Sequence, residues 1–145
     1  MYFHSLPQQI WQTALLLTCG YALVRGGRPE RTAAVACLTA SLLQPWVLDR
    51  NWLDPQYGVL AVDVSLLVTL IGLTLTTNRA WLLFASAFQL LGVIIHIAIM
   101  VDHGVAPLPY RRGLVIWSYL TLLALGVGTW GVWRETRSLK FKPPP

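Results

Sequence analysis

Five apolar runs divide the chain, each closed by turn-forming or charged residues. The first extends from about Gln8 to Val24, with Ser5 and Pro7 placed as a cap and first-turn pair, and ends at Arg25-Gly26-Gly27-Arg28-Pro29. The second, Thr32 to Leu48, stops at Asp49-Arg50-Asn51. The third begins near Gln56, after Asp54-Pro55, and ends at Thr77 before Asn78-Arg79. The fourth covers Ala80 to Val101 and gives way to a Gly/Pro stretch, Gly104 through Pro109, followed by Tyr110-Arg111-Arg112. The fifth covers Gly113 to Trp133 and leads into a basic tail, 134–145. Runs of this length need roughly 20 residues per bilayer crossing, so the chain has room for about five α-helical spans, four if the short first run does not cross. Strands are excluded, because spans of this kind must satisfy their backbone groups internally. The expected fold is therefore all-α: a single polytopic transmembrane helix bundle over 1–145, its short loops making consecutive helices antiparallel neighbours.

Composition sharpens that picture. Of 145 residues, 55% are hydrophobic and only 12% charged, and the mean hydropathy is +0.56. Soluble domains carry about 25% charged residues, so water is a poor solvent for this surface and lipid a good one. The net charge of +5 would raise the question of nucleic acid in a soluble protein. Here the placement of the charges matters more. With the N-terminus outside, Arg25, Arg28, Arg31, Arg79, Arg134, Arg137, Lys140 and Lys142 fall on the cytoplasmic side, against Arg50, Arg111 and Arg112 outside. Asp49, Asp54 and Asp102 offset the outer arginines. Trp46, Trp52, Tyr57 and Tyr110 form one interfacial belt; Tyr21, Trp81, Trp130 and Trp133 form the other. No signal peptide is expected, since no Lys or Arg precedes the first run and no A-x-A site follows it. Cys19 and Cys37 lie inside apolar runs and have neither disulfide-framework nor metal-site spacing.

Two ionisable residues sit within runs, Asp63 and His96. Such residues are costly in hydrocarbon and turn toward protein or water. By the helical rise both lie roughly 10 Å below the outer interface, on helices that should be antiparallel neighbours. Gln44, Ser118 and Tyr119 reach similar depth, and Ser86, Gln89, Gly92, His96 and His103 share one face of the fourth run. These residues form a candidate intramembrane polar layer. It reads either as an Asp–His hydrogen bond joining two helices, as a site for a small molecule such as a quinone or tetrapyrrole or for protons, or as a subunit contact. Haem fits poorly. His96 and His103 stand two turns apart on one helix face and cannot clamp one iron, while His4 would reach His96 only if the N-terminus folded inward.

Small residues recur in the second run as Ala33, Cys37 and Ser41 and as Ala36 and Ala40, a spacing that serves internal packing or dimerisation. Gly126, Gly128 and Gly131 thin the fifth helix, admitting a neighbour or allowing a bend. The tail from Arg134 onward serves as a cytoplasmic anchor, with contact to anionic lipid as an extension. No HExxH, CxxC, GxSxG or P-loop occurs. No enzyme activity, metal or cofactor is expected. The expected function is that of an accessory subunit in a larger bacterial inner-membrane assembly, partnered by lipid and by other membrane subunits or itself and not by nucleic acid. The alternative is a small-molecule or cofactor (quinone, tetrapyrrole) binding protein built on Asp63 and His96.

Overall fold

A computed structural model describes residues 6–48, 56–101 and 107–140, and among them the chain forms five α-helices. These are α1 (Leu6–Arg25), α2 (Arg28–Val47), α3 (Tyr57–Thr76), α4 (Ala80–Val101) and α5 (Pro107–Lys140). His4, Asp49, Arg50, Trp52, Asp54, Asp102, His103 and Lys142 lie outside the described residues. Three helices are long and apolar enough to cross a membrane: α3, α4 and the Arg112–Leu139 part of α5. α1 and α2 match them in length at 20 residues each. They are more polar, with Gln9, Gln12 and Thr13 near the start of one and Arg28, Glu30 and Arg31 at the start of the other.

Two boundaries differ from the apolar pattern. α2 starts at Arg28 and not at Thr32 because local chemistry caps it early: Pro29 needs no N–H partner in the first turn, and the Glu30 side chain reaches back to the Gly27 amide. α5 starts at Pro107, inside the Gly/Pro stretch read as loop. Pro107 and Pro109 both fall in its first turn, where missing N–H groups cost nothing. At the other end α5 carries the basic residues 134–140 as helix, so this part of the tail is not a separate segment.

The helices close a ring in chain order, each packed on the next and α5 returning to α1, with α2 also touching α5. Named contacts fix the directions. Asp63 meets His96 and Thr74 Oγ1 lies 3.1 Å from Ser86 Oγ, so α3 and α4 run antiparallel. Gly113 lies against Ile95 and Gly128 against Trp81, so α4 and α5 do too. The odd number of helices leaves α1 and α5 parallel where the ring closes, with Thr18 beside Gly126.

The core at that closure is built from small residues. Cys19, Ala22, Ala33, Ala34 and Cys37 are buried, together with Leu15, Leu70, Leu82, Ala85, Leu122 and Leu125. The small-residue stripe of α2 is thus spent inside the chain at Ala33, Cys37 and Ala40, where it lets the backbones of α1 and α2 approach. Gly128 belongs to the same design. A Cβ there would overlap the Trp81 ring, so the indole lies flat on the α5 backbone. Leucines and valines instead cover the outward faces: Leu17, Leu42, Val68, Leu75, Leu83 and Val101 are all exposed, Leu75 to 81%. Outward faces this rich in long aliphatics, over a core where small residues let helix backbones approach, are compatible with an apolar surrounding.

Candidate functional site

Asp63 is the seventh residue of α3 and His96 the sixth from the end of α4, and the antiparallel register brings them level. His96 Nε2 stands 3.0 Å from Asp63 Oδ2, with the two side chains 2% and 14% exposed. One proton is shared between this nitrogen and this oxygen. Gln89, two turns from His96 on the same face of α4, donates from Nε2 to the Asp63 backbone carbonyl at 3.3 Å. α4 therefore grips the residue twice, at side chain and main chain. The rest of the stripe on α4, Ser86, Gln89, Gly92 and His96, is buried within the bundle.

Beside Asp63, where the ring of helices leaves a central gap, lies a cavity of about 40 Å³. All five helices line it. Trp11 and Leu15 come from α1, Cys37, Ala40, Ser41 and Gln44 from α2, Asp63 and Leu66 from α3, Gln89 from α4, and Ser118, Thr121 and Leu122 from α5. Four of the six residues of the predicted polar layer thus meet at one cavity: Asp63, Gln44, Gln89 and Ser118. His96 is tied to the layer through Asp63. Tyr119 is half-buried and does not line the cavity. The helical period explains this, because Tyr119 lies about 100° around α5 from the mean direction of Ser118, Thr121 and Leu122, which face the cavity together. Two polar lining residues lay outside the predicted layer: Thr121, one turn after Ser118 on the same face, and Ser41, read only as part of the small-residue stripe.

A second buried polar group lies at the opposite end of the bundle and was not anticipated. Glu30 is fully buried. Its Oε1 accepts the indole N–H of Trp81 at 3.0 Å and its Oε2 the amide N–H of Gly27 at 3.0 Å. The start of α2 adds its dipole to the stabilisation of a carboxylate there. Arg31 Nε donates to the Gly26 carbonyl at 3.1 Å, fixing the same turn. Gly26 itself is required, since a Cβ would strike the Ala22 carbonyl and, at 2.6 Å, the Glu30 Cβ. One carboxylate thus ties the α1–α2 turn to the start of α4. The signal was present in the sequence as Gly27-x-x-Glu30, which supplies the glutamate half of a capping box, with Pro29 in the first turn.

One nucleotide-type spacing does occur. Gly126-Val127-Gly128-Thr129-Trp130-Gly131 fits G-x-G-x-x-G, but it lies in mid-α5 with neither the preceding strand nor the turn that such a loop needs to cradle a pyrophosphate. Its middle glycine serves the Trp81 contact. Among the described residues no three His, Cys, Asp or Glu side chains gather to hold a metal ion. Among them, too, every buried polar side-chain atom has a hydrogen-bond partner. The chain matches no protein-family model, and no curated protein or solved structure is significantly similar to it.

Proposed function

We propose that the chain is an integral membrane protein of five spans, N-terminus outside and C-terminus cytoplasmic, that acts as a non-catalytic accessory subunit of a bacterial inner-membrane assembly. The observation that carries this reading is the self-sufficiency of the interior. Buried polar atoms are partnered within the chain, and the central cavity holds only about 40 Å³. Pockets for organic ligands run to roughly 300–1,000 Å³, so a quinone or tetrapyrrole would need the bundle to open several-fold. A protein whose inside is occupied by its own packing works through its outside, and the outside offers rows of aliphatic side chains to lipid and to other helices. The orientation rests on the excess of arginine at the end carrying Arg25, Arg28, Arg31, Arg79, Arg134 and Arg137.

Extraction of the tagged chain from its own membrane in a mild detergent, followed by a native gel and mass spectrometry, tests the reading. Co-migration with one or a few other membrane polypeptides is expected. A sharp monomer band in several mild detergents would overturn it. The second reading, ligand binding at Asp63 and His96, draws on the cavity beside Asp63. It predicts a co-purifying chromophore or quinone that is lost in Asp63→Ala.

A further inference from the structure

The cavity lined by all five helices carries several hydrogen-bond acceptors beside the indole N–H of Trp11 and the amide of Gln44. Ser118 spends its hydroxyl proton on the Leu114 carbonyl at 2.8 Å, and Thr121 spends its own on the Trp117 carbonyl at 3.0 Å. Each therefore turns oxygen lone pairs outward from its helix. Gln89 commits one of its two amide N–H groups to the Asp63 carbonyl and keeps Oε1 as an acceptor. Asp63 gives one oxygen to His96 and, as a carboxylate, retains acceptor capacity on the other. Pro45 supplies no N–H to the carbonyl one turn earlier, which belongs to Ser41, a further lining residue. Gln44 completes the polar wall.

From this arrangement we infer that the cavity is a binding site for a small monovalent cation of the sodium type, with Asp63, Gln89, Ser118 and Thr121 as its oxygen ligands. Hard cations take oxygen donors, neutral as well as anionic. A single carboxylate matches a single positive charge. The volume of about 40 Å³ accommodates one ion with one or two waters, since each such position needs roughly 10–15 Å³. A divalent ion would call for more carboxylates, and among the described residues Asp63 is the only one lining the cavity. The inference goes beyond the accessory reading and does not depend on it.

The test uses the purified full chain in detergent. Its thermal unfolding midpoint is followed while sodium chloride replaces choline chloride at constant ionic strength, choline being too large for the cavity. A saturable rise of about 5 °C or more at a hundredfold excess over Kd is expected, because a ligand that binds only the folded state stabilises it by mass action. The rise should vanish in Asp63→Asn and shrink in Ser118→Ala. Sodium-23 line broadening on the wild-type protein, reversed by lithium, provides a readout if Asp63→Asn fails to fold. Equal midpoints in sodium and choline would overturn the inference. So would a sodium effect that persists unchanged in both variants.

Discussion

Removing one partner of the Asp63–His96 pair should destabilise the bundle more than the second removal adds. The contact is 3.0 Å long and nearly dry on the histidine side, at 2% exposure against 14% for the aspartate. His96→Leu leaves a carboxylate with its hydrogen-bond partner gone, which costs about 1–3 kcal/mol for a buried polar group. The partial exposure of Asp63 moves the expectation to the lower half of that range. Asp63→Ala leaves the imidazole in the drier position and should cost at least as much. In Asp63→Ala/His96→Leu both polar groups are gone, so the double variant should be less damaged than the sum of the singles by about 0.6–1.7 kcal/mol, the span of coupling energies for hydrogen bonds between membrane helices. The cycle isolates the side-chain contact well, because Gln89 holds the Asp63 main chain and not its carboxylate. Reversible unfolding in mixed detergent–dodecyl sulfate micelles, followed by tryptophan fluorescence, measures all four corners. Strict additivity of the two singles would refute the reasoning.

Three further outcomes are expected. Gly128→Ala drives a methyl into the Trp81 ring and should cost about 1–3 kcal/mol by overpacking, whereas Gly131→Ala, with open space at its Cβ, should be near neutral; the same unfolding assay separates them. Trp81→Phe keeps most of the ring but removes the N–H that Glu30 accepts, and should lower stability by about 1.5–3 kcal/mol, while Glu30→Ala should do so with an altered α1–α2 turn visible in amide exchange. Cysteine labelling of intact cells should modify Pro107→Cys and spare Arg137→Cys, with little background because Cys19 and Cys37 are buried; labelling at 137 would reverse the orientation.

The strongly apolar helices were the most legible. For α4 the run Ala80 to Val101 coincides with the helix, and for α3 the limits differ by one residue at each end. Hydropathy sufficed there because charged or turn residues flank a continuous apolar stretch. It failed where helix and apolar run part company, at the capped start of α2 and at both ends of α5, whose 34 residues continue past Trp133 as a polar helix. Arg134 and Arg137 lie over the rings of Trp130 and Trp133 there, a cation–π arrangement that one helical turn sets up and that hydropathy does not register. The pairing of Asp63 with His96 was legible because depth follows from residue count in antiparallel neighbours. The Glu30–Trp81 contact was not, because Trp81 reads as an ordinary interfacial side chain and nothing in the pattern brings Glu30 to it until the ring closes around them. Nor was the convergence on one cavity, since periodicity ranks faces within a helix but says nothing of which faces of five helices meet.

The parallel closure of α1 on α5 also orders the birth of the protein. Of the five described helices, the first two to leave the ribosome are the two that fall short of a membrane span by length and composition, and α1 packs in part on α5, the last of the five. Until α5 arrives, α1 and α2 have each other, joined by the two-residue Gly26-Gly27 turn, but no closed ring. The bundle is therefore completed by contacts between α1 and α5, the described helices farthest apart in sequence, which form late and cost the most loop entropy. A nascent chain halted before residue 107 would carry an open seam. That interval is the stage at which the faces of α1 and α2 that α5 later covers stand most open.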